Sequence, residues 1–168
     1  LRAYRRANFM LNIHFFCVGG TIDKIYFDAN SQYEVGSPAV KGLLAGLPTN
    51  IDATVTSVMA KDSLEMTDED RADLLEAVAA APQKLIVVTH GTDTMPLTAE
   101  YLQANEGDDL RDKVIVLTGA LAPAIFKQSD AEFNLGTAVA AAQCLSAGVY
   151  IAMNGQVFTA GKVYKDTV

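Results

Sequence analysis

Two stretches leave this chain little freedom in how it folds. KLIVVTH (84–90) and KVIVLTG (113–119) are short, nearly unbroken apolar runs rich in β-branched residues. A strand with one wet face alternates apolar and polar side chains, so a strand without polar alternates must be covered on both sides. Such strands belong to a parallel sheet held between helices. VYIAM (149–153), residues 11–18 (LNIHFFCV) and residues 53–60 (ATVTSVMA) read as further strands. Helical stretches separate them. Pro38 opens a short helix that ends near Gly46. Thr67 caps a helix carrying Leu74, Leu75, Val78 and Ala79 at helical spacing, with Asp70 as an imperfect capping box and Pro82 as the stop. Further helices are predicted from Pro96 to about Asn105 and over roughly 131–146. Two hairpins are expected, one around Ile22 to Val35 and one over 156–165 with its turn near Ala160 and Gly161. This alternation predicts a three-layer α/β fold with a mostly parallel sheet and helices on both faces.

The remaining composition narrows the partners. Half of the 168 residues are apolar, which excludes a disordered chain, and 2 Cys, 12 Gly and 5 Pro exclude a disulfide framework or a collagen-like repeat. Thirteen basic residues against twenty acidic ones give a net charge of −7, which argues against nucleic acid as a partner. The basic cluster Arg2, Arg5 and Arg6 opens an imitation of a signal peptide, but Asn12 and His14 interrupt its apolar stretch and no small-residue cleavage site follows. We expect residues 1–10 to be a flexible basic extension, Met10 to be the natural start, and residues 11–168 to form a single domain. No run is long enough to span a membrane as a helix. Cys17 and Cys144 read as small buried hydrophobes and reduced thiols, which fits a cytoplasmic location.

Ligands of parallel α/β sheets bind beyond the C-terminal ends of strands. The residues able to do chemistry fall there: Thr21 after the first strand, Asp62 and Ser63 after the second, His90 to Asp93 after the third, Gly119 and Ala120 after the fourth. Thr21 follows two glycines and suits a nucleophile if a base is near, or else a turn residue bonded locally. In HGTDT (90–94), Asp93 suits a site for a substrate ammonium, or an Asx-turn before Pro96. His90 tempts as a general base, yet a core histidine with both nitrogens satisfied is the better reading for it and for His14. Lys165 reads as solvated surface and Asp130 as the cap of the following helix. Tyr33 sits in a long loop of the kind that acts as a lid. No zinc motif, P-loop, GxGxxG or G-x-S-x-G elbow is present.

Taken in order, GGTID (19–23), QYEVG (32–36), KDSLEMTDED (61–70), VVTHGTDTM (87–95), VLTGALAP (116–123) and SDAEFNLGTAV (129–139) resemble the N-terminal domain of the bacterial-type L-asparaginases. The resemblance runs from about residue 11 to the end of the chain. It implies an amidohydrolase that hydrolyses the side-chain amide of L-asparagine or a related small amide to the acid and ammonia. Thr21 matches the attacking threonine, and Tyr33 the loop tyrosine that interacts with it. Ser63 matches the serine that holds the substrate carboxylate, with Asp62 supporting its loop. Thr92, Asp93 and Lys165 match a second triad, in which Asp93 also meets the substrate ammonium. Gly91 and Ala120 fall in the substrate-binding turns, and backbone N–H groups near Gly91 and Thr92 suit an oxyanion. The resemblance implies no metal or organic cofactor, and a homodimer or homotetramer.

Departures from the family pattern bear on recognition. The family's smaller C-terminal domain, whose acidic residue completes the ammonium site of a neighbouring subunit, has no counterpart in these motifs. Leu64 stands where many relatives place a polar residue, and Ala122 stands in GALAP (119–123) where the family has arginine. Slow turnover, or a preference for a less polar amide, is therefore expected. A binding module for an acidic amino acid without catalysis, or a subunit needing a partner chain, is the alternative.

Overall fold

The computed structural model describes residue 4 and residues 10–166. The expected basic extension, with Arg2, Arg5 and Arg6, lies outside the described residues except for Tyr4 and Met10. The elements in chain order are β1 (Leu11–Gly19), β2 (Lys24–Phe27), β3 (Gln32–Val35), α1 (Val40–Leu44), β4 (Ile51–Lys61), α2 (Asp68–Ala80), β5 (Leu85–Thr89), α3 (Met95–Ala104), β6 (Val114–Thr118), α4 (Ala131–Cys144), β7 (Gly148–Met153) and β8 (Gln156–Thr159). Six strands form one sheet in the order β4-β1-β5-β6-β7-β8. Every pairing is parallel except that of β7 with the edge strand β8. β2 and β3 form a separate antiparallel hairpin.

The two-residue period of β1 divides the core. Phe16 and Val18 face one side, where they pack with Leu74 and Val78 of α2 and Met95, Ala99 and Leu102 of α3. Ile13, Phe15 and Cys17 face the other, packed with Val40 of α1 and with Leu135, Ala138 and Ala142 of α4. These two apolar layers are the three-layer sandwich that the continuous apolar runs predict.

Local signals explain the helix ends. Thr67 Oγ1 accepts from the Asp70 N–H at 3.2 Å, and the Asp70 carboxylate accepts from the Thr67 N–H at 2.9 Å. Asp thus completes the capping box that usually takes Glu or Gln. The same carboxylate receives Lys61 Nζ at 2.8 Å, which ties the end of β4 to α2.

Three expectations are corrected. The hairpin expected over 156–165 is displaced. Its turn is at Asn154 and Gly155, both at positive φ, and β8 folds back on β7, leaving 160–166 to run on without strand structure. Asn-Gly is the stronger turn signal because both residues tolerate the left-handed region. Cys144 is exposed rather than buried, while Cys17 is buried and its thiol is pushed up to about 11 by that burial. Asp130 makes no cap bond to α4; its carboxylate instead accepts from the backbone N–H groups of Leu121 and Ala122 and from Asn134 Nδ2.

Candidate active site

The chain leaves β1 toward β4 on one side, then returns across it to β5 and continues to β6 and β7 on the other. The reversal places a crevice at the C-terminal ends of β1 and β5. Glycines decide how tightly those ends meet. A Cβ on Gly20 (φ +87) would lie 2.4 Å from the Gly91 backbone, and one on Gly91 would lie 2.6 Å from Ser63 Cβ. A Cβ on Gly119 would lie 2.2 Å from the His90 carbonyl oxygen. Four loops therefore touch backbone to backbone, and each of Thr21 and Thr92 directly follows one member of the Gly20–Gly91 contact. The Gly20 N–H donates to the Lys61 carbonyl at 2.9 Å, which joins the end of β4 to the same cluster.

Lys165 reaches this crevice from far along the chain. Its Nζ donates to Thr92 Oγ1 at 2.8 Å and pairs with the Asp93 carboxylate. An ammonium that donates to a hydroxyl oxygen favours its alkoxide form. Thr92 and Lys165 also line one cavity of about 250 Å³ with Met95, Leu121, Tyr164 and Asp166. The solvated-surface reading of Lys165 is overturned by these two bonds.

Ser63 sits under Gly91, buried, and its loop is fixed from three directions. The Thr94 hydroxyl donates to the Ser63 carbonyl at 2.7 Å, and the Thr94 N–H to Ser63 Oγ at 3.4 Å. Asp62 accepts from the Leu64 N–H and pairs with Lys24 Nζ at 3.3 Å. The backbone N–H of Leu64 does most to hold the Asp62 carboxyl below its usual range, with Lys24 and Lys165 adding to it. Leu64 itself is 72% exposed. Ala120 is buried against Ile22 and Ala131, so its methyl belongs to the floor rather than to the opening. Tyr33, on β3, is half exposed, with its ring edge-on to Tyr26 and Phe126.

His90 has the satisfied core environment expected of it. It is fully buried; Nδ1 lies 2.7 Å from the Gly91 carbonyl oxygen and Nε2 lies 2.7 Å from Thr98 Oγ1. Burial brings its pKa down to about 4, so the ring is neutral near pH 7. His14 likewise bonds Gln83 and Thr56 through its two nitrogens. Sequence reasoning passed over Thr94, Lys24 and Asp23. Asp23 is buried, its Oδ1 accepts from the Ala39 N–H at 2.8 Å, and burial raises its pKa to about 6. The available signal was position: each stands within three residues of a candidate already chosen. Among the described residues no cluster of three or more His, Cys, Asp or Glu could hold a metal ion, and no helix is long and apolar enough to cross a membrane.

Known proteins resemble this chain in both sequence and fold. The family model of the N-terminal asparaginase domain matches residues 12–167. A probable periplasmic L-asparaginase of Haemophilus influenzae is 34% identical over 92% of this chain and 46% of its own length. L-asparaginase 2 of Escherichia coli K12 is 33% identical over 92% of this chain and 46% of its own. Among solved structures, L-asparaginase I of Vibrio cholerae superposes with a TM-score of 0.81 at 25% identity, covering 95% of this chain and 49% of that one. The chain thus spans about half the length of the curated relatives it matches. By the model matched across nearly its whole length, this chain belongs to the asparaginase family, in that family's N-terminal domain.

Proposed function

We propose that this domain carries the amide-hydrolysing machinery of an L-asparaginase-like amidohydrolase, with L-asparagine or a related small amide as substrate. The observation that supports it most is the union of Thr92, Asp93 and Lys165, drawn from positions 73 residues apart in the chain. A surface lysine has no need of such an arrangement. In this reading Thr21 Oγ1 attacks the amide carbon. Its proton passes to the leaving nitrogen, ammonia departs, and water then hydrolyses the Thr21 ester to release the acid. The sum is amide plus water giving carboxylate plus ammonium.

The other roles follow from position. Thr92, its alkoxide favoured by Lys165, serves water or the nucleophile as base. Asp93 faces a substrate ammonium, and the Asp62–Ser63 loop faces the substrate carboxylate. Gly91 lets the two strand ends close on each other, and the buried Ala120 floors the site. Tyr33 acts from the β2–β3 hairpin as a lid residue, which requires it to leave Tyr26 and Phe126 and turn toward Thr21. No metal or organic cofactor enters this scheme. A cytoplasmic location and a homodimer or homotetramer complete the reading, and residues 11–168 act as one domain. A structural relative from Campylobacter jejuni, described as a probable cytoplasmic L-asparaginase, supports the location.

Ammonia release from asparagine, glutamine and a panel of less polar amides tests the reading. Thr21→Ala, Thr92→Ala and Lys165→Met are each expected to lower kcat by about a thousandfold or more. Turnover that survives Thr21→Ala and Thr92→Ala overturns it. Binding of aspartate with no turnover in the unmodified protein favours the binding-module alternative.

A further inference from the structure

We infer that His90, held by Thr98 and Arg71, is a positioning residue that aims the backbone N–H of Thr92 into the crevice. The inference rests on the amidohydrolase reading for its purpose, but its geometry stands on the fold. Arg71 Nε lies 3.0 Å from Thr98 Oγ1, Thr98 Oγ1 lies 2.7 Å from His90 Nε2, and His90 Nδ1 lies 2.7 Å from the Gly91 carbonyl oxygen. All three side chains are buried.

The directions of these bonds are forced by chemistry. A guanidinium only donates, so Thr98 Oγ1 accepts from Arg71. A carbonyl oxygen only accepts, so His90 must carry its proton on Nδ1. A neutral imidazole then has a lone pair on Nε2, and the Thr98 hydroxyl donates its one proton there. Each group is used once, and one tautomer satisfies the chain. Arg71 is in turn held by Asp68 at 3.2 Å.

The chain ends on a peptide unit that matters. In a trans peptide the C=O and the following N–H point in opposite directions. The Gly91 carbonyl is turned to the buried imidazole, so the N–H of Thr92 is turned the other way, away from the buried ring. That N–H donates no hydrogen bond to any group among the described residues. An N–H left open and held from behind is what a developing oxyanion requires. Gly91 supplies no rotational restraint of its own, because it has no Cβ. The relay supplies the restraint instead.

Two substitutions separate this role from simple packing. Asn at 90 places an amide nitrogen where Nδ1 stands and keeps a donor for the Gly91 carbonyl. Gln places its amide where Nε2 stands and loses that donor. His90→Gln is expected to lower kcat by about a hundredfold with KM within about threefold, and His90→Asn to recover most of the loss. Equal kcat in the two variants overturns the inference. A second measurement needs no activity: nitrogen NMR of the unmodified protein at neutral pH should find His90 neutral and protonated on Nδ1. Protonation on Nε2, or on both nitrogens, overturns it. The backbone amide peak of Thr92 should move in His90→Gln and return toward its place in His90→Asn; a peak indifferent to both counts against the inference. If the unmodified protein releases no ammonia, the amidohydrolase reading fails while the tautomer and the Thr92 peak still decide this one.

Discussion

The turn after β5 and the β2–β3 hairpin both carry candidate site residues, and they are built by opposite means. Residues 90–94 are locked by glycine contacts at backbone distance, by Thr94 on Ser63 and by the His90 relay. The hairpin makes its ladder only with itself and exposes Ile25, Tyr26, Phe27 and Tyr33. It is moored mainly at its base, where the Gly36 N–H donates to the Asp23 carbonyl at 2.8 Å and the Asp23 carboxylate takes the Ala39 N–H. Groups that must not move are held by backbone packing; the hairpin proposed as a lid is held by a few polar bonds at its base.

Glycine substitutions give the sharpest way to break this contrast. Gly20→Ala would force a Cβ to within 2.4 Å of the Gly91 backbone at a positive φ, where no side chain can move aside. A loss on the order of 3 kcal/mol is expected by denaturant unfolding. At Gly36, on the hairpin's base, the nearest atoms are the Ile25 side chain at 3.0 Å, and φ is not in the positive range. Gly36→Ala should therefore change stability by less than about 1 kcal/mol. Similar losses at the two sites would mean that the hairpin is as rigidly packed as the turn.

Asp23 tests the mooring itself. Its pKa is raised from 3.8 to about 6, chiefly by burial. Between those values the folded chain binds more protons than the unfolded one, so this group's contribution to stability falls as pH rises through the window. Above it the buried charge costs about 1–3 kcal/mol. Asp23→Asn keeps an oxygen for the Ala39 N–H and removes the charge. It should raise stability by about that amount near pH 7.5 and by almost nothing near pH 4. His90 has the opposite sign: its lowered pKa makes stability fall as pH drops from 6.5 through about 4. A gain for Asp23→Asn that is independent of pH would show that the carboxyl has the same pKa in the folded and the unfolded chain.

These particulars show what was readable beforehand. The apolar runs of β5 and β6 announce strands covered on both faces, because any wet face would need polar alternates. The candidate residues fall at strand ends, so topology alone gathers Thr21, Ser63 and Thr92. The Lys165 contact was not readable from local pattern, since an isolated lysine beyond an edge strand has no periodicity to betray it; the resemblance supplied it. The relay through Thr98 and Arg71 was hidden for a related reason. Both residues look ordinary on their own helices, and only the crossing of α2 over α3 beside β5 brings them to His90. The β8 turn lies at Asn154–Gly155 and not at the expected Ala160–Gly161, because Asn and Gly both tolerate the positive φ the turn takes.

The smallest expected effect is the most discriminating for the hairpin. Lys24, at the start of β2, bridges to Asp62 at 3.3 Å, and both side chains are about one-third exposed. A pair so placed contributes about 0.5 kcal/mol or less to stability. Yet it is a direct tie between the hairpin and the loop that carries Ser63. Lys24→Met should leave the unfolding midpoint nearly unchanged while weakening binding of aspartate by a few-fold, because Asp62 loses one of the two groups that fix its carboxylate. Calorimetry with the paired variants Lys24→Met and Asp62→Asn decides whether the two effects are one. If the pair acts as a strut, the double variant should bind no more weakly than the weaker of the single ones. Additive losses would mean that the hairpin and the Ser63 loop are set independently, and that the contrast between moored and locked regions extends to their shared boundary.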